Sequence, residues 1–367
     1  MKKMTKKISV FMLVCLSVIS CKKEEDNNNT VGTFVESGSA IVVNEGNFGG
    51  NNGSVSFINR NGVATNFIYE SANGGINLGD VLQSYTVVGN KGIICVNNSF
   101  KIEIVDARTF KHIATIVDTT ATQNTSYVRY ALGISDTKAY VTNGNFSGEI
   151  EVLDLTTNTI TKSINVGKGP EQLAMVGSNV YVCNSGGFDV DSTVSVVNAA
   201  TDVVTSTINV GDIPTKIVRD AQNNVWVLCA GQSDYSNYPL INKLSPSKLV
   251  RINTSSNTVD KSFTLIDAGN PSYVVNLAIG DNGRKVYYSV SDKIYALDIT
   301  SGSLPAAPII AGRSFYGLAA SPYNNQIWGL QAPNFTSGGY VFRYKADGSL
   351  IDSVKVGIGP NSAVFNN

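Results

Sequence analysis

Residues 150–174, IEVLDLTTNTITKSINVGKGPEQLA, and residues 194–218, VSVVNAATDVVTSTINVGDIPTKIV, are two copies of one pattern at an offset of 44 residues. Each copy reads as a strand, a turn of Thr, Asn, Ala and Asp, a second strand ending in Asn-Val-Gly, a proline and a third strand. A fourth strand follows, NVYVCN (179–184) in one copy and NNVWVLC (223–229) in the other. Four strands in roughly 45 residues is the period of one propeller blade. Looser copies of the third and fourth strands of such a blade lie at 54–69, 101–116, 248–265, 293–303 and 340–357, which makes seven. The expected fold is therefore all-β, a single seven-bladed β-propeller over residues 39–367. SAIVVNE (39–45) lacks a preceding inner strand and GPNSAVFNN (359–367) is an inner strand with nothing after it. Pairing the two closes the ring and hides a sheet edge that would otherwise template aggregation.

The composition agrees. The chain of 367 residues is 43% hydrophobic and only 15% charged, with 34 glycines, which suits many short strands and turns. Residues 1–20 read as a signal peptide: a basic MKKMTKK, then the apolar ISVFMLVCLSVIS, short for a membrane span. Ser20-Cys21 after that apolar run is similar to the lipobox of bacterial lipoproteins, which implies lipidation of Cys21. KKEEDNNNTVGT is polar and low in complexity, so residues 21–38 read as a flexible tether. Its acidic run resembles the surface-export signal of Bacteroidetes lipoproteins. Loss of residues 1–20 takes four of the 28 basic residues and leaves 24 against 28 acidic ones, a net charge of −4. That balance is not a nucleic-acid-binding footprint. Cys95, Cys183 and Cys229 remain, an odd number in apolar runs, and read as buried small hydrophobes.

Loop lengths point to one face. With the strands of a blade lettered A to D from the channel outward, the C–D turns are short. The B–C loops are long: 44–54, 143–149, 184–193, 230–248 and 331–339. The D–A connections 71–80 and 118–126, also long, lie on the same face. Long loops are usually functional or disordered, and these carry Phe48, Phe146, Phe188, Tyr235, Tyr238 and Phe335. Aromatic rings give wide apolar contact at low entropy cost, with neighbouring Asn, Gly and Ser as hydrogen-bonding groups. The starts of the A strands add Asp80, Gln83, Tyr85, Tyr127, Arg129, Glu171, Gln172, Lys216, Tyr273, Tyr316 and Asn361. Strand alternation sends about half of these into the channel mouth.

Signatures of catalysis are sparse. The one histidine, His112, lies in a C–D turn on the short-loop face, away from the long loops. A single histidine there fits neither a Ser-His-Asp triad nor a multi-histidine metal site. Asp189 and Asp191 stand two apart, but the glycine and distal glutamate of an EF-hand are missing, so an ordinary polar loop is expected. The expectation is a protein that is not an enzyme, has no catalytic residues and needs no cofactor or metal.

YVTN (140–143), YVCN (181–184) and the N-V-G-x-x-P phrases resemble the YVTN/YncE-like seven-bladed propellers. NEGNF (44–48), LGDVLQS (78–84), VNNS (96–99), FYGL (315–318) and LIDSVKVGIGP (350–360), after a lipoprotein signal, resemble the DUF5074 or "surface layer protein" group of Bacteroidetes. That group includes vitamin B12-capturing lipoproteins of the BtuG type. The resemblance implies a surface-exposed, lipid-anchored outer-membrane protein that captures a corrinoid and hands it to a TonB-dependent transporter. A flat corrinoid would then lie over the channel mouth. Phe48, Phe146, Phe188, Tyr235 and Phe335 would contact it, and Asn44, Asn47, Asp80, Gln83 and Arg129 would bond its amides, with Tyr127 on the same rim. The alternative is a protein-interaction or glycan-binding adhesion propeller.

Overall fold

A computed structural model describes residues 32–117, 125–236 and 241–366. The signal segment, Cys21, Tyr238 and most of the 118–126 connection lie outside the described residues. Among the described residues seven antiparallel blade sheets follow one another, the first taking its inner strand from the C-terminus, and a two-stranded ribbon of Ser233–Asp234 with Asn242–Lys243 lies in the long loop of blade 5. In that blade, strand A is Pro360–Phe365, strand B Ala40–Asn44, strand C Ser54–Ile58 and strand D Ala64–Thr65. Val42 faces Ala363 across the closing pair. Strand A of each blade touches strand A of the next, around the whole ring. The fold is the seven-bladed propeller expected from the repeat.

Burial follows strand position. Strands B are buried along almost their whole length, as in Val225–Cys229, because neighbouring blades cover both of their faces. They therefore read as continuous apolar runs. Strands D alternate, with Thr159–Asn165 burying Ile160 and Ile164 and exposing much of the rest. Cys95, Cys183 and Cys229 are free thiols inside strands B. Burial pushes Cys95 and Cys229 up to about 12, far from the thiolate form.

The repeated Tyr-x-x-Asn phrase holds strand B at both ends. Tyr181 donates its hydroxyl to Asn257 Oδ1 at 2.7 Å, in the C–D turn of the following blade. Tyr140 donates in the same way to Asp202, joined there by Lys138 Nζ at 2.5 Å. Lys91 reaches Asn158 Oδ1 at 2.8 Å one blade earlier. All three acceptors sit at positive φ, a backbone state that Asn and Asp tolerate better than most residues. At the other end Asn184 is fully buried and donates to Thr193 Oγ1 and Ser195 Oγ, both at 3.0 Å. Asn44 does the same to Ser56 Oγ at 2.9 Å. A Cβ on Gly167 would lie 2.5 Å from the Asn184 side chain, and one on Gly357 2.8 Å from that of Asn44. Gly167 and Gly357 are thus the space into which the asparagine of the next blade fits, whereas Gly211, in the second Asn-Val-Gly, faces Lys248 and Cys229.

Three expectations are corrected. The D strand of blade 1 was expected to run to Tyr69, but it ends at Thr65. A helical turn, Ile68–Ala72, then buries Ile68 and Tyr69, with Tyr69 bonded to Glu103 Oε1 at 3.0 Å. Blade 6 has three strands, and its D position is reduced to the bridge between Ile294 and Ile310. Pro305 and Pro308 in the connecting segment cannot donate to a ladder. The tether was expected through residue 38, yet residues 32–38 belong to the propeller unit. Phe34 packs between Phe57 and Phe110 at centroid distances of 5.4 and 5.8 Å, and Asn366 Nδ2 donates to its carbonyl at 2.8 Å.

Gly167→Ala is expected to cost about 1–3 kcal/mol by overpacking, read as a lower urea midpoint at unchanged slope. Asn184→Ala in the same chain removes the clashing partner, so the double variant should lose less than the sum of the single losses. Strict additivity would contradict the contact.

Candidate functional site

The A strands open at the long-loop face into a cavity of about 500 Å³. All seven blades contribute, and the polar wall includes Glu45, Gln83, Arg129, Tyr130, Glu171 and Lys216. Alternation along a strand would show only every second residue. Instead Arg129 with Tyr130, Glu171 with Gln172, and Thr215 with Lys216 line the cavity as consecutive pairs. The pairing register shifts at these places, between Val128 and Ala131, Pro170 and Leu173, and Pro214 and Lys216. A bulge releases the strand from alternation and re-aims side chains. The expectation that half of the strand-start residues face the channel is corrected on this ground.

One side of the cavity is an ion-pair network. Arg129 grips Glu171 through Nε and Nη2 at 2.9–3.2 Å and donates Nη1 to Gln83 Oε1 at 2.6 Å. Gln83 Nε2 donates to the Tyr130 hydroxyl at 3.0 Å. Burial alone would lower the Arg129 pKa, but the Glu171 carboxylate outweighs it and the pKa is raised. Glu45, also in the wall, accepts from the Tyr316 hydroxyl and from Asn361 Nδ2, both at 2.9 Å. Burial raises the Glu45 pKa, against the lowering effect of those two hydrogen bonds.

Around the mouth the exposed rings fall into groups. Phe146 and Phe188 lie 5.2 Å apart, Phe188 and Tyr127 6.1 Å, and Tyr127 and Phe100 6.4 Å. Blades 2, 3 and 4 thus present one connected run of four rings. Phe188 is 73% exposed and Phe146 56%. Phe335 meets Tyr316 edge-on at 4.8 Å, and Tyr235 lines the cavity itself. Phe100 and Phe335 hold positive φ values of 52° and 53°. For a bulky residue that backbone costs on the order of 1–3 kcal/mol and clusters at ligand sites.

The sequence-derived residues divide accordingly. Gln83, Arg129 and Tyr235 line the cavity, and Tyr127, Phe146, Phe188 and Phe335 rim it. Phe48 is 84% exposed on the tip of its loop and meets no other ring among the described residues. Asn47 is engaged with Asn52, its N–H on Oδ1 at 2.8 Å. Asn44 and Asp80 were expected to bond a ligand but are buried scaffold. Asp80 Oδ2 instead accepts from Gly49 N at 2.8 Å and Asn98 Nδ2 at 2.6 Å, tying two loops together. Of the other strand-start residues, Tyr85 is core and Tyr273 reaches Ser314 Oγ at 3.4 Å.

Sequence reading missed Tyr130 and Phe100. The bulge hides the first, and the second sits in a B–C turn too short to draw notice. His112 is the first residue of its D strand, bonded through Nδ1 to buried Glu103 at 2.5 Å. Asp189 pairs with Lys168 at 2.7 Å, and Asp191 accepts the N–H groups of Ser192, Thr193 and Lys168, so both tie their loop to the preceding D–A connection. Among the described residues no group of three His, Cys, Asp or Glu could hold a metal ion.

Fold and mouth together define the class: a seven-bladed propeller whose channel opens through a polar, aromatic-rimmed cavity. Residues 38–356 match the family described as a domain of unknown function, DUF5074, and the chain belongs to that family. No protein of curated function matches it. Among solved structures, a quinonprotein alcohol dehydrogenase-like protein from Bacteroides thetaiotaomicron VPI-5482 superposes with a TM-score of 0.63 at 14% identity, over 90% of this chain and 79% of that one. Hydrazine synthase of Kuenenia stuttgartiensis superposes at 0.55 with 15% identity, over 82% of this chain and 89% of its own. Likeness at such identities shows the fold alone.

The raised Glu45 pKa fixes the sign of a pH effect. Between its unfolded and folded pKa values the folded state holds the extra proton, so stability falls as pH rises through that window. Glu45→Gln keeps a carbonyl for Asn361 and an amide for the Tyr316 oxygen. It is expected to flatten this part of the stability–pH profile and to leave Tm at pH 7 equal or higher. A lower Tm at pH 7 would show that Glu45 is a stabilising carboxylate.

Proposed function

We propose that the protein is a lipid-anchored cell-surface binding protein that captures a small, flat, amide-rich ligand of the corrinoid class over the channel mouth. Hand-over to an outer-membrane transporter follows in this reading. The observation that supports it is the conjunction of a polar cavity with the connected run Phe100–Tyr127–Phe188–Phe146 on the same face. A broad planar ligand suits such a mouth. The rings offer apolar area, and the wall offers the amides of Gln172 and Asn276 and the phenol of Tyr130 to carboxamide side chains. Binding rather than catalysis is the role proposed, because Arg129, Glu171 and Glu45 are held by one another and by Gln83, Tyr316 and Asn361.

Calorimetric titration of residues 31–367 with cyanocobalamin tests this directly. Binding is expected in the micromolar range or tighter, with Phe146→Ala and Phe188→Ala each weakening it by about tenfold and leaving Tm unchanged. Absence of heat and of retention at micromolar ligand would overturn the corrinoid reading. Loss of equal size from His112→Ala would place the site on the other face. For the anchor, Cys21→Ala is expected to release the protein from the membrane fraction, and unchanged membrane attachment would contradict lipidation.

A further inference from the structure

Four charged side chains face the cavity, and three of them are satisfied. Arg129 and Glu171 hold each other, and Glu45 is capped by Tyr316 and Asn361. Lys216 is different. Its ammonium lies 5.4 Å from the Tyr130 ring centroid and donates to the Tyr130 hydroxyl at 3.3 Å. It forms no ion pair among the described residues. The Tyr130 oxygen already accepts from Gln83 Nε2 and from Lys216, while its own proton meets no acceptor among the described residues. An ammonium and a phenol with unspent N–H and O–H hydrogens therefore converge on one wall, and Thr215 lines the same wall beside them.

A partly buried, unpaired ammonium in a cleft of low dielectric favours an opposite charge from outside. We propose that Lys216 and Tyr130 form an oxyanion-recognition subsite of the channel mouth, and that the ligand carries one singly charged oxyanion, a phosphodiester or a carboxylate. This rests on the mouth being a ligand site, but not on the ligand being a corrinoid. Lys216 supplies the charge and Tyr130 a directed hydrogen bond. The Arg129–Glu171 pair fixes Tyr130 through Gln83.

The test compares cyanocobalamin, which bears a phosphodiester in its nucleotide loop, with dicyanocobinamide, which lacks that loop. Lys216→Met is expected to weaken cyanocobalamin by roughly 10- to 100-fold, the range for one charge-assisted hydrogen bond. It should leave dicyanocobinamide within about twofold, and Lys216→Arg should restore most of the cyanocobalamin loss. Equal loss for both ligands, or loss for neither, would overturn the subsite while leaving corrinoid capture standing. If neither corrinoid binds, amine labelling of the wild-type chain, mapped by peptide mass spectrometry, decides. Dimethyl phosphate or acetate is then expected to slow labelling of Lys216 and not of Lys168 or Lys345. No selective protection by either would overturn the proposal.

Discussion

Strands B of blades 1 to 4 are held at one or both ends by a tyrosine or lysine and by an asparagine, and the spacing of these blades depends on this. The first reaches forward into the C–D turn of the next blade, as Tyr181 does to Asn257. The second fills the hollow left by a glycine of the preceding connection, as Asn184 does against Gly167. One group fixes the spacing of blades on the short-loop face, the other on the long-loop face. Between them the strand is apolar on both sides and cannot slip by one residue without exposing its polar ends. The A strands lie inside this frame, and their bulges are tolerated because strands B and C carry the packing.

The bulges decide what the channel mouth can do. A regular strand presents one side chain per two residues to the channel. A bulged one presents two neighbours, so Arg129 and Tyr130, or Thr215 and Lys216, share a wall. An ion pair, a phenol and a free ammonium then fit within a cavity of about 500 Å³. Tyr127 sits beside the start of its A strand, whereas Phe100, Phe146 and Phe188 lie on B–C connections, so polar wall and aromatic rim come from two connections that share one face.

Most of the fold was legible in the sequence because the repeat is written in residues with a physical task. Tyr-x-x-Asn recurs because the latch recurs, and the first Asn-Val-Gly supplies the hollow at Gly167. The two blades where the reading failed, 1 and 6, both lack Tyr-x-x-Asn in strand B and lack Asn-Val-Gly. Blade 6 loses its outer strand to Pro305 and Pro308, and blade 1 turns into a helix after Phe67. The site was legible only in part. Long loops marked the face on which Phe146 and Phe188 rim the cavity, but a ring's neighbours are not written in its own loop. Asp80 and Asn44 looked like ligand groups because polar residues in a loop phrase carry no sign of burial. Tyr130 was hidden because period-two reasoning assigns it to the other side of its strand.

Membership of the DUF5074 family and the propeller fold place the chain in a broad class, and the mouth gives it a particular chemistry. The central claim is that the cavity and the run Phe100–Tyr127–Phe188–Phe146 form one ligand site. A crystal structure of the protein soaked with cyanocobalamin tests it most directly. The account predicts the macrocycle over the channel mouth, against Phe146 and Phe188, with an oxyanion at Lys216. A ligand seated on the short-loop face, or between blades away from those residues, would contradict it.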